Sequence, residues 1–255
     1  EAREAGGAAV ELGCAEGVRT ERGMFLKLGA SDRPRAKRYA FFAEREAAKV
    51  AGVPDGTKPR NVERVAIIGA GTMGGGIAMS FANAGIPVTL IETGEEQLKR
   101  GMGVMQKNYE ATAARGGIPA DAPAKRMGLI TGVVGLENVK DADLVIEAVF
   151  ETMAVKKEVV TALDKFAKKG AVLASNTSYL NIDEIAKVTS RPQDVLGMHF
   201  FSPANVMKLC EIVRADKTAP AALVTAVSIA RKIDKVPAVV GVCDGFVGNR
   251  VLAPR

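Results

Sequence analysis

Residues 65–92, VAIIGAGTMGGGIAMSFANAGIPVTLIE, constrain this chain more than any other stretch. They read as strand, glycine turn, helix, strand and a closing carboxylate. Val65–Ile68 is a short apolar run suited to a parallel strand buried on both faces. Gly69, Gly71 and Gly74 follow as G-x-G-x-x-G. In this setting Gly69 permits the tight turn, Gly71 lets a pyrophosphate approach the backbone, and Gly74 lets the helix lie close to the sheet. The amides of Thr72 and Met73, opening the helix, then face phosphate with the helix dipole behind them. Glu92 stands 18 residues beyond Gly74, at the end of the second strand. A carboxylate there accepts hydrogen bonds from a ribose 2′-OH and repels a 2′-phosphate, which predicts NAD rather than NADP. The stretch carries no charge from Val65 to Ile91, as a membrane span would, but six glycines, Pro87 and the polar Thr72, Ser80, Asn83 and Thr89 argue against one. A glycine turn of purely structural use in another α/β protein is the competing reading. Strand, helix and acid together favour the dinucleotide.

From Glu63 onward, apolar runs alternate with amphipathic segments. Strands are expected at Val65–Ile68, Val88–Ile91, Leu144–Ile146, Ala171–Ala174, Val195–Met198, Leu209–Val213 and Val236–Val240, with a weaker one at Ile130–Val134. Helices are expected at Thr72–Ala84, Glu95–Arg115, Ala154–Ala167, Ile182–Val188 and Ala221–Ile233, and Asn181 with Glu184 resembles a capping box. Such alternation implies a doubly wound, mostly parallel α/β sheet of Rossmann-like kind. Ahead of it, residues 1–50 are rich in Ala, Glu, Arg and Lys, with a helix expected from about Pro34 that sets Tyr39, Phe42 and Ala43 at helical spacing. Residues 53–61, VPDGTKPRN, read as a linker.

Composition adds exclusions. An apolar content of 47% supports a full core, and a formal charge of +6 is mild. No basic tract with interleaved aromatics suggests nucleic acid. A polyanionic small ligand, such as a dinucleotide or coenzyme A, would suit the charge. Cys14, Cys210 and Cys243 are scattered and no C-x-x-C occurs, so neither a disulfide frame nor a metal site is indicated and a reducing, intracellular compartment is expected. The chain begins at Glu1 without methionine and stops at Arg255, so both ends read as cut.

Open α/β sheets bind ligands beyond the carboxyl ends of their strands. Glu151, the run Ser175–Asn176–Thr177–Ser178, His199, and Asp244, Gly245 and Asn249 each follow an expected strand, so all are expected at one edge. His199 is the only histidine. Beside Met198 and two phenylalanines it could be a hydrogen-bonded core residue, but its place at a strand end in a predicted NAD site fits a base. Glu151 fits a helix N-terminal carboxylate, the Ser/Thr run fits a helix entry, and Lys156 and Lys157 read as surface charges.

The motifs GAGTMGGGIA, EAVFE, SNTS, GMHFFSP, MKLCEI and DGFVGNR, in this order and spacing, resemble the NAD-binding domain of the 3-hydroxyacyl-CoA dehydrogenases of fatty acid β-oxidation, over about residues 62–255. Residues 35–49 resemble the end of the hydratase/isomerase part of multifunctional β-oxidation enzymes. The resemblance implies four regions: a helical remnant at 1–52, a linker at 53–61, the dehydrogenase domain at 62–242, and the start of a helical domain at 243–255. It implies NAD-dependent oxidation of an (S)-3-hydroxyacyl-CoA thioester, with His199 as base, Glu151 as the acid paired with it, Ser178 binding the 3-oxygen, and Asn249 holding that oxygen and the His–Glu pair. It sets Asn176 and Lys156 near the cofactor. Ser202 stands where the family usually has Asn. No metal is implied, because NAD supplies the hydride chemistry. With the helical domain cut short, family dimer contacts are expected to be lost and the piece to turn over poorly. The implied compartment is the cytoplasm for a bacterial source, the peroxisome or mitochondrion for a eukaryotic one. A non-catalytic crystallin-like relative, or another NAD-dependent β-hydroxyacid dehydrogenase, is the alternative.

Overall fold

The computed structural model of the chain describes residue 7, residue 10, residues 13–47 and residues 49–252. The outermost residues of the expected first and last regions, including Glu1 and Arg255, lie outside the described residues. Two units are present, divided between Ala47 and Ala48.

The first unit holds α1 (Cys14–Gly29) and α2 (Asp32–Ala47). α2 begins two residues before Pro34, and its Tyr39 and Phe42 are 78% and 62% exposed, so the helical spacing there does not mark a buried stripe. α1 has no counterpart in the expectations.

The second unit runs β1 (Val65–Ile68), α3 (Thr72–Asn83), β2 (Val88–Glu92), α4 (Glu95–Ala114), α5 (Ala122–Met127), β3 (Ile130–Val134), β4 (Leu144–Glu147), α6 (Met153–Phe166), β5 (Val172–Ser175), α7 (Ile182–Ala186), β6 (Val195–Phe200), β7 (Leu209–Arg214), α8 (Pro220–Lys232), β8 (Val236–Gly241) and α9 (Gly248–Leu252). Every expected strand forms. Asn181 accepts from the Asp183 and Glu184 amides, but Glu184 turns away to Lys187 and Lys157, so only half of the capping box is made. Residues 53–61 carry no regular element, yet the Arg60 amide donates to Thr225 Oγ1 and its guanidinium pairs with Asp194 at 2.7 Å.

The strands form one sheet in the order β3-β2-β1-β4-β5-β6-β7-β8. Neighbours are parallel except β6 and β7, which pair antiparallel. Period-two alternation then sorts side chains between two cores. Val65, Ile67, Leu90, Ile146, Ala174, Met198 and Ile212 meet α3, α4 and α8. Ala66, Ile68, Val145, Leu173, Val195 and Val213 meet α6, α7 and Phe246. Both faces are covered, which is why the central strands read as unbroken apolar runs.

The antiparallel step has a consequence that the alternation of strands and helices did not reveal. β8 is parallel to β7 and therefore runs opposite to β1–β6. Its carboxyl end points to the other edge of the sheet, so Asp244, Gly245 and Asn249 do not arrive at the site by following a strand. The chain instead folds back over the sheet face, burying Phe246 in the second core on the way.

Candidate functional site

Buried polar residues gather on the α6/α7 face near the carboxyl ends of β4, β5 and β6, among them Glu147, Ser175, His199 and Glu211. The register pairs Glu147 with Ser175 and His199 with Glu211. Each holds the strand position that alternation assigns to the second core, so the same rule that buries Val145, Leu173, Val195 and Val213 brings these polar groups together.

The glycine turn closes tightly at the end of β1. A Cβ on Gly74 would stand 1.7 Å from the Gly69 carbonyl oxygen, so α3 can pass this close to the turn only with glycine there. Gly69 has φ +101° and a Cβ there would stand 2.7 Å from the Ala148 carbonyl oxygen. Gly71 differs: nothing lies within 4 Å of the Cβ position, leaving an open cradle at the N-terminus of α3. Helix geometry leaves the amides of Thr72 and Met73 facing that cradle. Glu92 accepts from the Ala70 amide at 2.9 Å and the Thr93 amide at 2.8 Å. It thereby stands directly behind the turn, where a ribose would reach it. Open cradle, free amides and carboxylate fit a dinucleotide.

The structure corrects the pairing of His199. Its Nδ1 lies 2.8 Å from Glu211 Oε2, whereas Glu151 makes its bonds elsewhere. The physical reason is register: Glu211 is the cross-strand neighbour of His199 and points to the same face. The other Glu211 oxygen accepts from the Val247 and Gly248 amides at 2.9 and 2.8 Å. Burial alone would raise the Glu211 carboxyl, but the bonds from His199 and the two amides outweigh it and hold it below its ordinary value. With Glu211 ionised, Nδ1 is the nitrogen that donates to it, and Nε2 is left as an acceptor. The rings of Phe201 and Phe246, centred 4.4 and 5.8 Å away, pack the imidazole in place. Sequence reasoning missed Glu211, although a single acid inside the apolar run of MKLCEI was a signal for it.

Glu151 instead organises the turn after β5. It accepts from the Thr177 hydroxyl and from the Ser178 amide at 2.7 Å, and its second oxygen lies 3.2 Å from Lys156 Nζ. Burial works to raise this carboxyl, and those partners together bring it below its ordinary value. Lys156 is no surface charge: it is fully buried, with Nζ 3.0 Å from each oxygen of Glu147. α6 turns Lys156 inward toward β4, whereas Lys157 keeps a third of its side chain exposed and pairs with Glu184.

Met73, Glu151, Asn176, Ser178, His199, Ser202 and Asn249 line one cavity of about 330 Å³. Asn176 Oδ1 takes the Phe200 amide at 2.9 Å, tying the ends of β5 and β6. Asn249 Nδ2 donates to the Ser178 carbonyl oxygen at 3.3 Å, so the folded-back segment is joined to the turn after β5. A Cβ on Gly248 would stand 2.6 Å from the Phe201 ring, which is why this closure uses glycine. The cavity therefore presents an imidazole backed by a buried carboxylate, a hydroxyl and an amide, beside Met73 of the glycine turn.

Comparison with known proteins gives this arrangement a family. The profile described as "3-hydroxyacyl-CoA dehydrogenase, NAD binding domain" matches residues 64–243. The peroxisomal bifunctional enzyme of Danio rerio is 42% identical over 251 residues, covering 96% of this chain and 34% of the relative. The Homo sapiens enzyme of the same name is 41% identical over 255 residues, covering 97% and 34%. The chain thus spans about a third of the length of these curated relatives. Among solved structures, FadB2 of M. tuberculosis superposes with a TM-score of 0.74 at 38% identity, over 76% of this chain and 68% of that one. The 3-hydroxybutyryl-CoA dehydrogenase of Escherichia coli K12 gives 0.73 at 34% identity, over 75% and 41%. With sheet, glycine turn and profile in agreement, the chain belongs to the 3-hydroxyacyl-CoA dehydrogenase NAD-binding domain family.

Proposed function

We propose that this chain carries the NAD-binding and proton-handling part of an enzyme that oxidises (S)-3-hydroxyacyl-CoA to 3-oxoacyl-CoA in fatty acid β-oxidation. The observation that carries the proposal is the His199–Glu211 pair, whose imidazole lines a cavity shared with Ser178 and Asn249 beside the glycine turn.

The chemistry follows from what each group can do. Oxidising a secondary alcohol removes a hydride from carbon and a proton from oxygen. When bound, NAD accepts the hydride and nothing else. His199 Nε2 takes the proton from the 3-hydroxyl, and Glu211 stabilises the imidazolium that results. The Ser178 hydroxyl and the Asn249 amide hold the 3-oxygen, which orients its proton toward His199. In the reverse direction the imidazolium returns the proton. Gly69, Gly71, Thr72, Met73 and Gly74 would hold the pyrophosphate, and Glu92 the adenosine ribose. Asn176, Glu151 and Lys156 would stand nearer the nicotinamide end. Ser202 lines the cavity where the family usually has Asn, and its shorter side chain leaves the oxygen to Ser178 and Asn249. The names of the curated relatives favour the peroxisome among the expected compartments. Among the described residues no helix is long and apolar enough to cross a membrane.

Apolar side chains flank this site on the exposed side: Phe150 is 83% exposed, Tyr179 56% and Val247 51%. A cavity so open cannot exclude water by itself, so the 255-residue chain is expected to reduce acetoacetyl-CoA with NADH slowly. Free acetoacetate should be a far poorer substrate, since binding energy from the coenzyme A end is what positions the reacting carbon. Following NADH consumption with both substrates tests this. Equal rates would favour a β-hydroxyacid dehydrogenase that acts on free acids.

A further inference from the structure

Glu147 lies under the site but does not line it. It is fully buried at the end of β4, and so is Lys156 on α6. Lys156 Nζ stands 3.0 Å from both Glu147 oxygens, and Glu147 also accepts from the Ser175 hydroxyl and, at 3.3 Å, from the Val149 amide. Burial pushes the Glu147 carboxyl upward, and Lys156, Ser175 and the Val149 amide oppose that push. The same ammonium lies 3.2 Å from Glu151, whose side chain is 39% exposed and lines the cavity. Two carboxylates thus share one ammonium. Lys156 meets both oxygens of Glu147 at 3.0 Å and one oxygen of Glu151 at 3.2 Å, so its charge goes first to Glu147 and the negative charge of Glu151 is left over.

We propose that Glu147 is a positioning residue that neutralises Lys156, so that Glu151 presents a net negative charge to the nicotinamide and favours NAD⁺ over NADH. This rests on the dehydrogenase reading above. Hydride transfer requires the nicotinamide within reach of the carbon whose hydroxyl meets His199, and Glu151 lines the cavity that holds His199. The oxidised ring carries a positive charge and the reduced ring does not. A negative charge within several ångströms therefore discriminates between them, and in a partly buried site the attraction is weakly screened. Contacts to pyrophosphate and ribose are common to both forms and cancel in the ratio of their affinities.

The test is calorimetric titration of NAD⁺ and NADH into the 255-residue chain and its variants, reading the ratio Kd(NAD⁺)/Kd(NADH). In Glu147→Gln the ammonium is left to Glu151 alone, and the ratio should rise roughly 3- to 10-fold. In Glu147→Gln/Lys156→Met the Glu151 charge is again uncompensated, and the ratio should return to that of the unsubstituted chain. Lys156→Met alone should leave the ratio within about twofold, because Glu147, isolated in the core, takes up a proton. A parallel loss of both affinities in Glu147→Gln with an unchanged ratio would show a merely structural carboxylate and overturn the inference. Should Glu147→Gln not fold, Lys156→Met still decides: a severalfold fall in the ratio would mean that Lys156 compensates Glu151 rather than Glu147. An unsubstituted chain that bound neither nucleotide would remove the dehydrogenase reading, and this inference with it.

Discussion

His199→Ala is expected to lower turnover of 3-hydroxyacyl-CoA by about 10²–10⁴-fold while leaving NADH affinity within about twofold. The imidazole is the only one in the chain and is packed between two phenyl rings, so no second imidazole can take its place. Its removal leaves the glycine turn and Glu92 untouched. Glu211→Gln should fall in the same class, at about 10²-fold, because a neutral amide no longer stabilises the imidazolium. Acid titration separates the two variants. The folded-state Glu211 carboxyl lies below its ordinary value, so the stability it adds is complete above an unfolded-state pKa of about 4.3 and disappears as pH falls through the lower folded-state value. Glu211→Gln should flatten that acid limb of the denaturation curve, whereas His199→Ala should leave more of it, because the Val247 and Gly248 amides still hold the carboxylate. Rates are read as NADH consumption with acetoacetyl-CoA, each variant against the unsubstituted chain. Near-normal turnover by His199→Ala would assign the proton to another group.

Gly74→Ala should destabilise the domain by about 3 kcal/mol and abolish measurable NADH binding. Its Cβ would meet the Gly69 carbonyl oxygen at 1.7 Å, and that atom belongs to the backbone of the turn, so either α3 or the turn must move. Gly71→Ala is the control. With φ −73° and nothing within 4 Å of the new methyl, it should fold with less than about 0.5 kcal/mol lost. NADH affinity should nonetheless fall, because the methyl occupies the cradle. Thermal denaturation and titration of both variants read the two effects apart. Full binding by a folded Gly71→Ala would show that no ligand approaches the turn there.

The fold was legible because burial on both faces leaves apolar runs, and each run from Val65 to Val240 became a strand. The glycine turn was legible because backbone proximity admits one residue type. What the sequence concealed was direction and depth. The run Leu209–Val213 looks the same whether parallel or antiparallel, yet its reversal decides where β8 ends and obliges residues 242–248 to fold back. The same reversal sets Glu211 opposite His199, a partnership that no spacing along the chain encodes. Lys156 and Lys157 are adjacent and chemically alike, and only the rotation of α6 buries one and exposes the other. The first-unit helix α2 shows the converse, since helical spacing of Tyr39 and Phe42 does not tell whether anything covers them.

The most direct measurement is calorimetric titration of the 255-residue chain with NADH and NADPH in parallel, repeated on Glu92→Ala. Glu92 lies at the end of β2 with its oxygens on the Ala70 and Thr93 amides, behind the turn that would hold the pyrophosphate. NADH should bind at least tenfold tighter than NADPH, with the difference narrowing in Glu92→Ala. Equal binding of both by the unsubstituted chain, or binding of neither, would contradict it.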